Sequence, residues 1–230
     1  MMKKIFLILL ISFFILGCSD KKQNVADEDK NQEQPVNKGI PLNVTVPDAR
    51  EGDHVQGKED APVTIIIYSD FQNPFAARLS GAGGSLAKAK TEFGDKLKII
   101  FRHYPQSFNQ LAEAAAEFAE CANEQGKFWQ MHDKLFENNI NNKFSLAQFK
   151  KNVEELGLDT AKFDECLNTD KYREKIKIAA VEAEKIGIRG TPTLFINGRH
   201  ILGALSYEDY DTEFGKEPGL KSIIEDALKK

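Results

Sequence analysis

Apolar and polar positions alternate in two distinct rhythms along this chain. Residues 63–69 (Val-Thr-Ile-Ile-Ile-Tyr-Ser) form a short β-branched run bounded by Ala61-Pro62 and Asp70, the pattern of a buried central strand. Residues 53–57 supply a short edge strand before it. The period then lengthens. After Asn73-Pro74, residues 75–93 read as one helix with Leu79, Ala82, Leu86 and Phe93 on a shared face, weakened or kinked by Gly81, Gly83 and Gly84. Residues 96–104 return to alternation, with Leu97, Ile99 and Phe101 on one side.

A long helical stretch follows. Leu111, Ala114, Ala115, Phe118, Ala119 and Ala122 make one apolar face, and Phe128, Met131, His132, Leu135 and Phe136 another. Ser145 caps a helix that turns Leu146, Phe149, Val153 and Leu156 inward, and Asp159 or Thr160 opens a short one ending near Leu167. Tyr172, Ile176, Ala179, Ala183 and Ile186 mark the last and longest helix of the block. Thr193-Leu194-Phe195-Ile196 is again β-prone, Asn197-Gly198 is a hairpin signal, and residues 199–202 form the return strand. A closing helix carries Leu220, Ile223, Ile224, Ala227 and Leu228. The order is β-α-β, several helices, then β-β-α, with no internal repeat.

The amino terminus has a different character. Lys3 and Lys4 precede a twelve-residue, mostly apolar run at 5–16, too short to span a bilayer comfortably and suited to a signal peptide. It ends in Ile15-Leu16-Gly17-Cys18, which resembles a bacterial lipobox; the alternative is an ordinary signal peptide with an incidental cysteine. Residues 19–38 are polar and charged and are expected to form a disordered tether. The expected organisation is therefore 1–17 signal peptide, 18–39 lipidated terminus and tether, and 40–230 one domain, exported and held on the extracytoplasmic face of the envelope by Cys18.

Loss of residues 1–17 removes two lysines and takes the net charge from −4 to −6. With no basic stripe, nucleic acid and anionic lipid surfaces are not expected partners. The four histidines, His54, His103, His132 and His200, are scattered in sequence, so neither a metal nor a cofactor is expected. His132 reads as a packed histidine. Of three cysteines, lipidation of Cys18 leaves the pair Cys121 and Cys166 in an oxidising setting.

Five stretches carry a family resemblance. They are Gly57-Lys58-Glu59-Asp60-Ala61-Pro62-Val63-Thr64-Ile65, Phe71-Gln72-Asn73-Pro74-Phe75-Ala76, Phe101-Arg102-His103-Tyr104-Pro105, the Glu120–Trp129 segment with Cys121 and Phe128, and Gly187 to Gly198 around Gly190-Thr191-Pro192-Thr193. In this order the chain resembles the DsbA-like thiol–disulfide oxidoreductases. The resemblance implies an α/β thioredoxin-like fold with a helical insertion at about 106–187 and a cis Thr191-Pro192 bond. It implies a loop before Pro192 that pairs with extended, unfolded exported polypeptide or another envelope protein. It also places the two redox sulfurs at positions 73 and 76, where this chain has Asn73 and Ala76.

Neither side chain can perform thiol exchange, which needs a thiolate and a resolving thiol. Asn73 suits a helix N-cap and Pro74 the first helical position. The expectation is a pseudo-oxidoreductase with no catalytic residue, in which Thr191, Pro192 and Phe75 contact peptide. Cys121 and Cys166 would be a structural disulfide, the pairing suggested by relatives. The alternatives are an oxidoreductase that uses Cys121 and Cys166, or a purely structural lipoprotein domain. Phe71, Phe75 and Phe108 read either as an apolar rim or as core.

Overall fold

The computed structural model describes residues 49–230; the expected signal peptide, the tether and Cys18 lie outside the described residues. Five strands make the main sheet: β1 (His54–Gly57), β2 (Val63–Ser69), β3 (Leu97–His103), β4 (Thr193–Ile196) and β5 (Arg199–Leu202), in the order β1-β3-β2-β4-β5. β2 and β3 are parallel, paired Val63 with Leu97 through Ser69 with His103; every other pair is antiparallel. The β-branched run in β2 sits at the centre because both of its faces are covered. Ile65 and Ile67 pack with Leu86, Leu194 and Ile224 on one side, and Ile66 and Tyr68 with Ile100, Ala183 and Phe195 on the other.

Helices α1 (Pro74–Ser80) and α2 (Ser85–Phe93) link β2 to β3, and α8 (Leu220–Ala227) closes the chain beside α2. The expected single helix at 75–93 is broken, and Ala82 is exposed in the break. The glycines do more than weaken a helix: a Cβ on Gly84 would stand 2.5 Å from the Arg78 carbonyl oxygen, and Gly83 has φ of +73°. Only glycine permits both the close approach and the left-handed step.

Between β3 and β4 lie α3 (Ala112–Asn123), α4 (Phe128–Ile140), α5 (Leu146–Glu155), α6 (Thr160–Asn168) and α7 (Arg173–Lys185). The expected caps are in place. Ser145 Oγ accepts from the Gln148 amide at 3.3 Å and Asp159 Oδ1 from that of Lys162 at 3.1 Å. At thirteen residues α7 only equals α4 in length. A disulfide joins Cys121 on α3 to Cys166 on α6 across 45 residues, within a core that includes Phe118, Phe149 and Phe163.

Two polar ties fasten the sheet edge. Buried Arg102 on β3 binds Asp53 through two hydrogen bonds of 2.8 and 2.9 Å and the Tyr68 hydroxyl through a third of 2.8 Å. Trp129 on α4 donates its indole N–H to the Val55 carbonyl of β1 at 3.1 Å. A small hairpin, β6 (Tyr210–Thr212) and β7 (Gly215–Glu217), was not legible in the sequence; its residues are mostly exposed and polar, without an apolar alternation to mark them.

Candidate functional site

The carboxyl end of β2 delivers the chain to the start of α1, and the loop between them is braced from several sides. Asp70 is buried. Its carboxylate accepts from the amides of Gln72 (2.7 Å) and Gln106 (2.9 Å) and from the Asn109 side chain (2.7 Å). Burial pushes the Asp70 carboxyl above its ordinary value, and these donors pull it only part of the way back. Gln72 accepts from the Leu111 amide at 2.7 Å, and Asn139 of α4 donates to the Phe71 carbonyl at 2.8 Å. The bracing roles of Asp70, Gln72 and Asn139 leave no local sequence signal, because their cross-chain partners lie 36 to 68 residues away.

Asn73 then caps α1. Its extended backbone (φ −76°, ψ 122°) lets Oδ1 accept from the Phe75 amide at 2.8 Å and the Ala76 amide at 3.4 Å, with Pro74 in the first helical turn. The other end of the same side chain reaches across the site. Nδ2 donates to the Thr191 carbonyl at 2.7 Å and to Thr191 Oγ1 at 3.0 Å. Ala76, one turn on, is fully buried against the insert.

Facing them is the loop into β4. The Thr191-Pro192 bond is cis, as the resemblance implied. Pro192 is buried, its carbonyl accepting from the Gly203 amide at 2.9 Å, and Thr193 Oγ1 donates back to the Gly190 carbonyl at 2.8 Å. With its carbonyl taken by Asn73, Thr191 keeps its amide N–H without an acceptor among the described residues.

The three phenylalanines divide. Phe71 is core, packed on Phe101 and Phe136, whereas Phe75 is 54% and Phe108 75% exposed. Phe75 lies under the Arg78 guanidinium at 4.4 Å. Both line a surface hollow of about 320 Å³ with Ser85, Ala204, Leu205 and Ser206. His132 is fully buried among Phe71, Phe101 and Phe136, as expected of a packed histidine, and burial lowers its pKa.

The arrangement offers a helix N-terminus, a cis-proline loop and the exposed ring of Phe75. It offers no sulfur at that point, since Cys121 and Cys166 are bonded to each other and buried within the insert core. The fold also gathers His54, His103 and Glu120, 66 residues apart at the extremes, which no sequence spacing marks.

A model of the thioredoxin family matches residues 49–213, and the chain belongs to that family. Its DsbA-like form of the fold is shared with solved structures. Oxidised BdbD from Bacillus subtilis is 20% identical with a TM-score of 0.65, covering 79% of this chain and 96% of that one. Alpha-DsbA1 from Wolbachia pipientis is 21% identical with a TM-score of 0.59, covering 79% and 93%. A thioredoxin-like oxidoreductase from Silicibacter pomeroyi DSS-3 is 20% identical with a TM-score of 0.61, covering 78% and 92%.

Among curated proteins, the chain is similar to parts of two Na(+)/H(+) antiporters named NhaA 1. That of Salinispora arenicola is 34% identical over 174 residues, 75% of this chain and 26% of the antiporter. That of Mycolicibacterium gilvum is 33% identical over 156 residues, 66% and 24%. The chain spans about a quarter of the length of these relatives. Among the described residues, no helix is long and apolar enough to cross a membrane.

Proposed function

We propose that this protein is an exported, lipid-anchored member of the DsbA-like group that has no thiol chemistry and acts by binding extended polypeptide beside Pro192. The observation that carries the reading is Asn73. It stands where the group places its attacking thiol, its oxygen satisfies the first turn of α1, and its nitrogen holds the Thr191 carbonyl. An amide has neither the lone pair reactivity nor the ionisation that disulfide exchange requires, and Ala76 has no resolving group. What remains suits recognition: the free Thr191 N–H, and the exposed rings of Phe75 and Phe108. Main-chain pairing plus an apolar pocket is how extended peptides add to a sheet edge. Ion transport by the antiporter relatives does not carry over, because the matched part is a quarter of their length.

The test has three arms. Insulin reduction and refolding of a reduced disulfide protein should show no turnover above buffer; turnover would defeat the reading. Titration with an unfolded apolar peptide should shift the amide resonance of Thr191 and the ring resonances of Phe75. Absence of any shift would leave only the purely structural lipoprotein. Intact-mass analysis of exported protein should find an acylated Cys18 at the amino terminus, and an unmodified terminus elsewhere would remove the anchor.

A further inference from the structure

The sheet edge and the insert enclose a second polar centre. His54 on β1, His103 at the end of β3 and Glu120 on α3 come from three separate elements, and their side chains meet beside a cavity of about 490 Å³. We propose that His54, His103 and Glu120 form a binding site for a borderline divalent metal ion, zinc being the best match, with water completing the coordination from the cavity.

The geometry is close to what such an ion requires. Tetrahedral zinc holds nitrogen and oxygen ligands at about 2.0–2.1 Å, which puts neighbouring ligand atoms roughly 3.3 Å apart. Glu120 Oε1 lies 3.0 Å from His54 Nε2 and 3.2 Å from His103 Nε2, and all three ligand atoms fall within 4.8 Å of one another. Two imidazoles and one carboxylate are a donor set that suits zinc and disfavours calcium or magnesium, which take oxygen.

Burial sharpens the case. His54 is 7%, His103 5% and Glu120 0% exposed, so these groups were taken out of water at a cost. His103 Nε2 is a buried nitrogen aimed into the cluster, 3.2 Å from the Glu120 carboxylate.

The rings are already fixed. His54 stacks on Phe128 with centroids 3.4 Å apart, and His103 lies edge-on to Phe71 and Phe101. Little ordering is left to be done on binding.

One cation already visits the cluster. Lys175 on α7 places its ammonium 3.0 Å from the Glu120 carboxylate, and its side chain lines the cavity and is 41% exposed. Lys175 is therefore the competitor of the metal. Removing it should strengthen binding, the opposite of what loss of a purely structural ion pair would do to any property of the site.

The experiment uses tag-free protein with Cys18→Ser, so that no thiol competes, and zinc chloride as the probe. Calorimetric titration should show one zinc per chain. In imidazole-resolved NMR of the same protein, the resonances of His54 and His103 should move and those of His132 and His200 should stay. Glu120→Gln should weaken binding at least about 10-fold, and Lys175→Ala should tighten it. Near-ultraviolet circular dichroism checks that both variants are folded. The proposal is overturned if neither the parent nor Lys175→Ala binds zinc saturably, if the shifts fall on His132 or His200 instead, or if folded Glu120→Gln binds as the parent does.

Discussion

Replacing Asn73 by Ala removes two connections at once, and their sizes can be estimated separately. The Oδ1 cap on the Phe75 and Ala76 amides is worth about 1 kcal/mol by analogy with other N-cap to Ala changes. The Nδ2 bond to the Thr191 carbonyl at 2.7 Å adds about 1 kcal/mol net. The expected loss is then about 2 kcal/mol. For a domain of this size, where 1 kcal/mol moves the melting temperature by roughly 2–4 °C, the fall should be about 4–8 °C. Asn73→Asp separates the two halves. A carboxylate keeps the cap and gains from the positive end of α1, but it turns an oxygen toward the Thr191 carbonyl and loses the cross-link. Urea unfolding of the mature protein, followed by far-ultraviolet circular dichroism, should therefore rank the parent above Asn73→Asp and both above Asn73→Ala. A neutral Asn73→Ala, or an Asn73→Asp as stable as the parent, would refute the view that this side chain ties α1 to the cis-proline loop.

Three further outcomes follow from the same structure. Restoring both sulfurs with Asn73→Cys and Ala76→Cys should give a thiolate at position 73 that titrates below an ordinary cysteine, read by its ultraviolet absorbance, because the helix N-terminus is intact; an unshifted value would mean that α1 no longer stabilises an anion there. The double substitution Cys121→Ala and Cys166→Ala should cost about 4 kcal/mol from the 45-residue loop alone, measured by urea midpoint, while leaving peptide binding in place; loss of binding at full stability would reverse their assignment. Asp70 holds its proton to a higher pH folded than unfolded. Its contribution to stability is full below the ordinary carboxylate range and is lost as pH rises through the raised value. The stability difference between the parent and Asp70→Asn should thus shrink as pH rises above the ordinary carboxylate range, and a difference that grows would contradict the burial argument.

What the sequence made legible was local. Strand β2 and the β4–β5 hairpin were readable because a β-branched run and an Asn-Gly turn are decided within a few residues. Asn73 and Pro74 announced a helix start for the same reason. The break after α1 was foreseen only as weakness, since the crowding that requires Gly84 comes from the Arg78 and Leu79 carbonyls and appears only once the chain has folded back. The N-cap was anticipated, but the Asn73 to Thr191 bond spans 118 residues and no periodicity encodes it. The histidines are scattered in sequence; β1–β3 register sets His54 opposite Phe101 with His103 two residues further along β3, and the packing of α3 adds Glu120, which no spacing marks.

The indole of Trp129 belongs to the only tryptophan in the chain. It bridges two parts that sequence separates, donating from the insert to the β1 main chain while touching Phe101 and His132. Its fluorescence is therefore a built-in optical gauge of a single joint, the seating of α4 against the sheet edge. Emission that shifted to the red while far-ultraviolet circular dichroism stayed constant would signal the insert swinging away with its helices intact, an event that no bulk measure of secondary structure records.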